Sequence, residues 1–144
     1  TPAVNLVFAL DEALKMMRQE GLDNIFMRHN KHKLAMSNAV KALNLKLFAD
    51  EKYLSPSITA IKTEGMDAEE FRKTIKNNFD ILLAGGQDHL KGKIFRVGHL
   101  GYVNDRDIIT VVSAMSNTLL NLGKITAQQA GEALVVASKY LEGT

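Results

Sequence analysis

The chain opens and closes with pairs of helical segments, and its strand-like segments are confined to the middle. Apolar residues spaced three and four apart predict helices, whereas short alternating or β-branched runs predict strands. The predicted order is helix, helix, strand, strand, helix, strand, strand, helix, helix, over residues 4–20, 22–44, 45–49, 58–63, 67–79, 81–84, 93–98, 104–123 and 126–141. This order is typical of an α+β domain. We therefore predict a small sheet with helices packed on one face.

Polar residues and glycines mark the ends of the predicted helices. The spacing of a capping box occurs three times, at Asp67 and Glu70, Asn104 and Asp107, and Thr126 and Gln129. Gly21 and Gly123 stand where helices commonly end in a left-handed residue. Asp23 is expected to cap the second helix. The inward stripe of that helix is predicted to comprise Leu22, Ile25, His29, His32, Met36, Val40 and Leu43.

Composition indicates an ordinary folded protein. The 144 residues are 46% apolar and 24% charged, so residues 1–144 are expected to form one domain. The absence of cysteine excludes thiolate catalysis and cysteine-bound metal clusters within this chain. The formal net charge is +2 and the basic residues are scattered, which does not favour nucleic-acid binding. Apolar runs reach only about five residues, too few for a membrane span or a signal peptide. We expect a soluble, cytoplasmic protein.

The first predicted helix has more apolar surface than one core-facing side requires. Its helical stripe comprises Val7, Leu10, Leu14 and Met17. A second apolar set comprises Leu6, Phe8, Ala13 and Met16. Large exposed apolar patches usually mark interaction sites. We expect the second set to contact a partner outside this chain.

Arg96 stands inside an otherwise apolar strand, with glycines on both sides of the segment. Alternation places Arg96 on the same side as Ile94, which is the pattern of a solvent-facing surface arginine. The flanking glycines permit close backbone approach, and a guanidinium matches a carboxylate with two parallel hydrogen bonds. The alternative is therefore a binding site for a small acid, and residue types leave both interpretations open.

Other candidate motifs are weaker. Gly85-Gly86 does not have the spacing of a nucleotide-binding loop. His29 and His32 lie on one helix face, but no carboxylate pair completes a metal site, so we interpret them as packed imidazoles and predict no metal. His89 and His99 bracket the Arg96 strand, and either lines a pocket or is solvated. The Gly-x-Ser-x-Gly motif of serine hydrolases is absent.

Three stretches together resemble the C-terminal part of class V pyridoxal-phosphate aminotransferases, in the alanine–glyoxylate and serine–pyruvate branch. They are residues 1–22, the pair Gly85-Gly86, and the segment 92–101, Gly-Lys-Ile-Phe-Arg-Val-Gly-His-Leu-Gly. The resemblance covers essentially the whole chain, and the last stretch is its most specific part. Some cyanobacterial members are named as the small subunit of a soluble hydrogenase. Because this chain has no cysteine to hold nickel, iron or a cluster, that name has no chemistry here.

The resemblance implies a transaminase that transfers an amino group from an α-amino acid to a 2-oxo acid such as glyoxylate or pyruvate. It implies that Arg96 binds the substrate α-carboxylate. It also implies that Thr1 reaches the phosphate of pyridoxal 5'-phosphate in the neighbouring subunit of a homodimer.

The chain departs from the family pattern in one large respect. A complete member has an N-terminal large domain with the Schiff-base lysine and an aspartate that pairs with the pyridine nitrogen, and neither is found here. None of the thirteen lysines lies in a matching motif. We therefore interpret residues 1–144 as the C-terminal small domain, without catalytic residues of its own and inactive alone. The alternative is a free-standing α+β module that binds a small acid at Arg96 and dimerises in response.

Overall fold

The computed structural model describes residues 2–142, and within them the predicted order of elements is confirmed. The helices of this part are Val4–Glu20 (α1), Leu22–Ala42 (α2), Ala68–Phe79 (α3), Asp105–Asn121 (α4) and Ala127–Glu142 (α5). The strands are Lys46–Leu47 (β1), Ile58–Lys62 (β2), Ala84–Gly85 (β3) and Ile94–Gly98 (β4). Two short 3-10 turns, Glu51–Tyr53 and Asp88–Leu90, lie in the connections.

The four strands form one antiparallel sheet in the order β1-β2-β4-β3. Side chains alternate along each strand, so the register defines two faces. The inner face carries Thr59, Ile61, Phe95 and Val97, which are all buried. The outer face carries Ile58, Ala60, Lys62, Ala84, Ile94, Arg96 and Gly98. The helices pack on the inner face, which confirms the predicted α+β architecture.

The core lies between the inner face and helices α2 to α5. The rings of Phe71 in α3 and Phe95 in β4 pack with their centroids 5.0 Å apart. Met36 and Val40 of α2 and Met115 of α4 are fully buried in the same cluster. Burying large apolar side chains is the main favourable contribution to folding, at about 1.5–3 kcal/mol each. The core is thus built mainly by α2 to α5 and the inner face, with Leu43, Leu83 and Ile125 added from the connections.

Most of the predicted helix caps are present. Asn104 and Asp107 form the complete capping box of α4, and Thr126 and Gln129 exchange hydrogen bonds at the start of α5. The Asp67 side chain caps α3, although Glu70 makes no reciprocal bond.

The cap predicted at Asp23 is wrong. Helix α2 begins at Leu22, directly after Gly21, so Asp23 lies inside the first turn and its side chain caps nothing. Gly21 has the predicted positive φ of 83°, but its ψ of 136° is extended rather than left-handed helical. The two helices therefore meet without a loop. The predicted inward stripe of α2 is buried except for Leu22, which is exposed.

Two strand predictions were too long. The segment 81–84 was expected to be a buried strand, but only Ala84 belongs to a strand and Leu82 is 77% exposed. Asp80 ends α3 with a left-handed φ of 54°, and the chain reaches the sheet edge only at Ala84. Strand β1 has two residues instead of five, because only Lys46 and Leu47 pair with β2.

Helix α1 contributes no buried side chain. The second apolar set of α1, which was expected to contact a partner, is exposed, with Phe8 at 69% and Met16 at 41% of full exposure. The stripe of Val7, Leu10, Leu14 and Met17 is exposed as well, so neither side of α1 packs on the core. The main contacts of α1 with another element are those with the neighbouring helix α2. Over residues 2–142, every helix is too short or too polar to cross a membrane.

Candidate functional site

Arg96 lies at the centre of the outer face, as the alternation in its strand predicts. Its pairing partners across the sheet are Ala60 on β2 and Ala84 on β3. Both partners have only a methyl group, so no large side chain stands directly opposite Arg96 on either adjacent strand. Arg96 is itself partly buried. The site is therefore a single arginine on a shallow floor of small residues.

One edge of the Arg96 guanidinium is fixed and the other is available. Its Nε donates a hydrogen bond to the Gly85 carbonyl oxygen at 3.0 Å, which orients the plane of the group. Among residues 2–142, no carboxylate lies within 4.0 Å of this arginine, and its two terminal nitrogens donate to no protein group. Two parallel N–H groups match the two oxygens of a carboxylate. The arrangement can bind a small acid with a planar fork.

Gly86 is required by the local packing of the chain, whereas the atoms nearest Gly85 are the ends of flexible side chains. A Cβ at Gly85 would lie 2.6 Å from a terminal nitrogen of Arg72, and one at Gly86 would lie 2.1 Å from the Leu90 carbonyl oxygen. Close backbone approach was expected at these glycines. The groups that approach them belong to this chain. As a result, the 86–90 segment lies beside Ile94 on the outer face.

The two histidines that bracket the strand differ in position. His89 is exposed, as a solvated loop histidine would be. His99 is completely buried, and burial lowers its pKa to about 4. It therefore neither lines a pocket nor contacts solvent. Its Nδ1 donates to the Pro56 carbonyl oxygen at 3.0 Å, since a carbonyl can only accept.

His29 and His32 are packed imidazoles, as predicted. His29 binds the Ile25 carbonyl oxygen through Nδ1 and accepts the Gly101 backbone N–H at Nε2. His32 binds an Asp105 carboxylate oxygen at 2.8 Å through Nε2. Burial lowers the pKa of His32, although the bond to Asp105 acts in the opposite direction. His29 therefore joins α2 to the segment between β4 and α4, and His32 joins α2 to the first residue of α4.

Arg28, which no sequence motif indicated, fixes the segment that follows the Arg96 strand. Its guanidinium donates to the carbonyl oxygens of Gly101 and Val103 at 2.9 and 3.0 Å. It also forms a two-pronged ion pair with Glu20 and thereby lowers the pKa of that carboxyl. Only the final fold brings these groups together, so no local motif could have identified Arg28.

A groove of about 320 Å³ lies beside the site and does not suit an acid. It runs between residues 80–83, the end of β4 and the first turns of α4. Asp80 and Asp107 are part of its lining and would repel a carboxylate, and Arg96 is not part of it. Arg96 on the open outer face is therefore the better candidate for an anion site.

Two further expectations from the sequence concern Thr1 and the lysines. Thr1, the expected cofactor contact, lies outside the described residues. None of the thirteen lysines is buried, and all of them belong to the described part. The described residues thus leave the terminal nitrogens of Arg96 without a protein partner and enclose no lysine beside it.

Comparison with known proteins gives consistent relatives, although no protein-family model matches the chain. It is 52% identical over 141 residues to "Soluble hydrogenase, small subunit" of Synechococcus sp., matching 98% of this chain and 36% of that protein. It is 33% identical to the serine–glyoxylate aminotransferase of Methylorubrum extorquens, matching 98% of this chain and 35% of that protein.

The fold is also similar to that of a solved aminotransferase. The crystal structure of pyridoxamine–pyruvate aminotransferase from Mesorhizobium loti superposes with a TM-score of 0.91 at 26% identity, covering 99% of this chain and 36% of that one. The chain therefore spans about a third of the length of the curated relatives it matches.

Proposed function

Since the chain belongs to the class V aminotransferases and corresponds to their small domain, we propose that it forms the substrate-carboxylate side of a transaminase active site. The complete enzyme transfers an amino group from an α-amino acid to a 2-oxo acid such as glyoxylate or pyruvate. Both kinds of substrate have a carboxylate next to the reacting carbon, which is the group that Arg96 is suited to bind.

The free fork of Arg96 is the observation that carries this proposal. The bond from Nε to Gly85 anchors the guanidinium, and its two terminal nitrogens donate to no protein group among residues 2–142. A substrate held by two parallel hydrogen bonds keeps its reacting carbon in a fixed place, and small misplacements cost much rate. Arg96 thus acts by positioning and moves no proton.

The cofactor in the proposed enzyme is pyridoxal 5'-phosphate, which supplies the electron sink for the reaction. The described residues do not fit a complete cofactor site, because no lysine is enclosed near Arg96. We place the Schiff-base lysine in a large domain that makes up the rest of the enzyme. The bare outer face around Arg96 and the exposed apolar surface of α1 are the surfaces proposed to meet that domain.

A homodimer completes the proposal. Thr1 is proposed to bind the cofactor phosphate of the neighbouring subunit. Replacing Thr1 by alanine should weaken cofactor binding more than replacing it by serine, which keeps the hydroxyl. An equal effect of both changes would contradict this role.

Substitution of Arg96 in the complete enzyme tests the central claim. A charge-assisted, two-pronged contact is worth about 1.5–3 kcal/mol, so Arg96→Ala should lower kcat/KM for an α-amino acid about tenfold to a hundredfold. Arg96→Lys should recover only part of this, because an ammonium has the charge without the fork. Arg106→Ala is a matched control, since Arg106 is exposed on α4.

The comparison with a simple amine separates binding from structure. An amine that lacks a carboxylate should lose much less activity in both Arg96 variants. If the amino acid and the amine lose activity equally, Arg96 stabilises the fold or the dimer and the carboxylate role is wrong. A chain that binds acids at Arg96 but never functions with a lysine-bearing domain would instead be the free-standing acid-binding module.

A further inference from the structure

The last residue of β4 has backbone groups that face the β3 side of the sheet. Successive residues of an antiparallel strand point their N–H and C=O groups to opposite neighbours. Odd-numbered positions bond toward β2, since the N–H of His99, directly after β4, donates to the Ser57 carbonyl oxygen at 2.9 Å. Even-numbered positions bond toward β3, since the Gly86 N–H donates to the Ile94 carbonyl oxygen at 3.1 Å. The N–H and C=O of Gly98 therefore point toward β3.

Strand β3 does not extend far enough to meet these groups. If it continued in register, Leu82 would lie opposite Gly98, because Ala84 pairs with Arg96. Strand β3 begins only at Ala84, and no backbone hydrogen bond joins Gly98 to residues 80–83. Gly98 is also exposed. An unpaired strand edge of this kind is a template for pairing with another extended chain.

The groove of about 320 Å³ lies at this edge, and Gly98 is part of its lining. The floor of the groove is apolar, and the buried side chains that form it are those of Leu83, Val97, Ile108 and Val111. The charged residues of its lining are Asp80 and Asp107. Among residues 2–142, neither of these carboxylates takes part in an ion pair. The groove thus combines an open strand edge, an apolar floor and uncompensated negative charge.

We propose that the groove binds an extended, basic segment of another protein chain, which adds a strand to the edge at Gly98. The backbone of that segment pairs with the N–H and C=O of Gly98. Side chains of an extended segment alternate between two sides, so apolar ones reach the floor while a lysine or arginine faces Asp80 and Asp107. Opposite charge favours this partner over an acidic one. The inference goes beyond the proposed function and does not depend on Arg96.

Titration of the 144-residue chain with short peptides tests the proposal. The probe is acetylated and amidated Lys-Val-Lys-Val-Lys, and the readout is the NMR shift of the Gly98 amide and of the amides along the groove. Glu-Val-Glu-Val-Glu keeps the valines and reverses the charge, so it should bind at least about tenfold more weakly. An added strand uses the N–H groups of one edge only. N-methylation of the central lysine or of both valines should therefore weaken binding about tenfold in one case and within about twofold in the other.

Substitution of Asp80 tests the charge. Asp80 has a left-handed φ of 54°, which asparagine also adopts, so Asp80→Asn should remain folded. Its affinity for the lysine peptide should fall about twofold to fivefold. Asp88→Asn is the matched control, because Asp88 has a similar φ of 47°, is exposed and lies outside the groove. That variant should bind like the unaltered chain.

Hydrogen exchange of the Gly98 amide completes the test. The amide should exchange quickly in the free chain and more slowly with the lysine peptide bound. Protection in the free chain would mean that the edge is already paired, and the proposal would be wrong. It is equally wrong if the acidic peptide binds as well, if both N-methylated peptides bind like the parent, or if no peptide shifts the groove signals. Groove signals that shift with protein concentration alone would assign the edge to a second copy of this chain and overturn the proposal.

Discussion

The Thr59 hydroxyl donates a hydrogen bond to Nε2 of His99 across 2.9 Å on the inner face of the sheet. The Nδ1 of the same ring donates to the Pro56 carbonyl, so the imidazole is neutral with both nitrogens bonded. Protonation would add a charge to a ring that has no contact with water. Protonation of His99, which lies on the inner face at the end of the Arg96 strand, should therefore lower the stability of the fold.

Stability should fall in mild acid. Burial lowers the pKa of His99 to about 4 in the folded chain, whereas the unfolded value is near the ordinary 6.5. The unfolded chain then binds the proton first, so full stability is present above about pH 6.5 and is lost as the pH falls toward 4, on the order of 3 kcal/mol. The lowered pKa of His32 acts in the same direction.

Urea unfolding across this pH range measures the effect. His99→Asn keeps a donor near Nδ1 but cannot titrate, so its stability should depend less on pH between about 6.5 and 4. An identical pH dependence in the variant and the unaltered chain would assign the acid sensitivity to other groups.

The isolated chain should form no covalent complex with pyridoxal phosphate. All thirteen lysines are exposed or partly exposed, and none lies in an enclosed site that would favour one of them. Mixing the two should give no saturable absorbance change at neutral pH and no stoichiometric adduct after borohydride reduction. One modified lysine per chain, identified by mass spectrometry, would overturn this prediction.

Polar substitutions on α1 should improve solution behaviour without loss of fold. Phe8 and Met16 are exposed, so replacing both by serine should change the free energy of unfolding by about 0.5 kcal/mol or less. Self-association and binding of a hydrophobic dye should decrease, as measured by light scattering and fluorescence. Phe71→Ala is the contrasting variant, because Phe71 is buried and its truncation should cost about 3–5 kcal/mol. If the α1 variant unfolds, the helix belongs to the core and the partner interpretation is wrong.

Two glycine-to-alanine changes should have opposite effects on stability. At Gly86 the new methyl would lie 2.1 Å from the Leu90 carbonyl oxygen, and the required shift should cost about 1–3 kcal/mol. At Gly131 the methyl meets open space within a helix, and alanine should add about 0.5–1 kcal/mol. Chemical unfolding of both variants measures the difference. If both variants changed the free energy of unfolding equally, the 86–90 segment would accommodate the new methyl group without a stability cost.

The features that sequence predicted best are local ones. Helix periods and the caps at Asn104 and Thr126 depend on neighbouring residues, and they are correct. The side of the strand on which Arg96 lies follows from alternation alone. The strand at 81–84 failed because its pairing depends on where Asp80 ends α3. The contacts of Arg28 with Gly101 and Val103 could not be predicted, since they join segments that are distant in the chain.

The lack of buried side chains in α1 indicates that this helix becomes ordered late in folding. A lone helix of its length is only marginally stable in water, and here it adds no side chain to the interior. Residues from α2 onward contain the whole core and can condense without it. We expect backbone amides of α1 to exchange with deuterium far faster than those of α2, and to gain protection only when another surface covers the helix. Its ordering is then a late step of assembly, after the rest of this chain has folded.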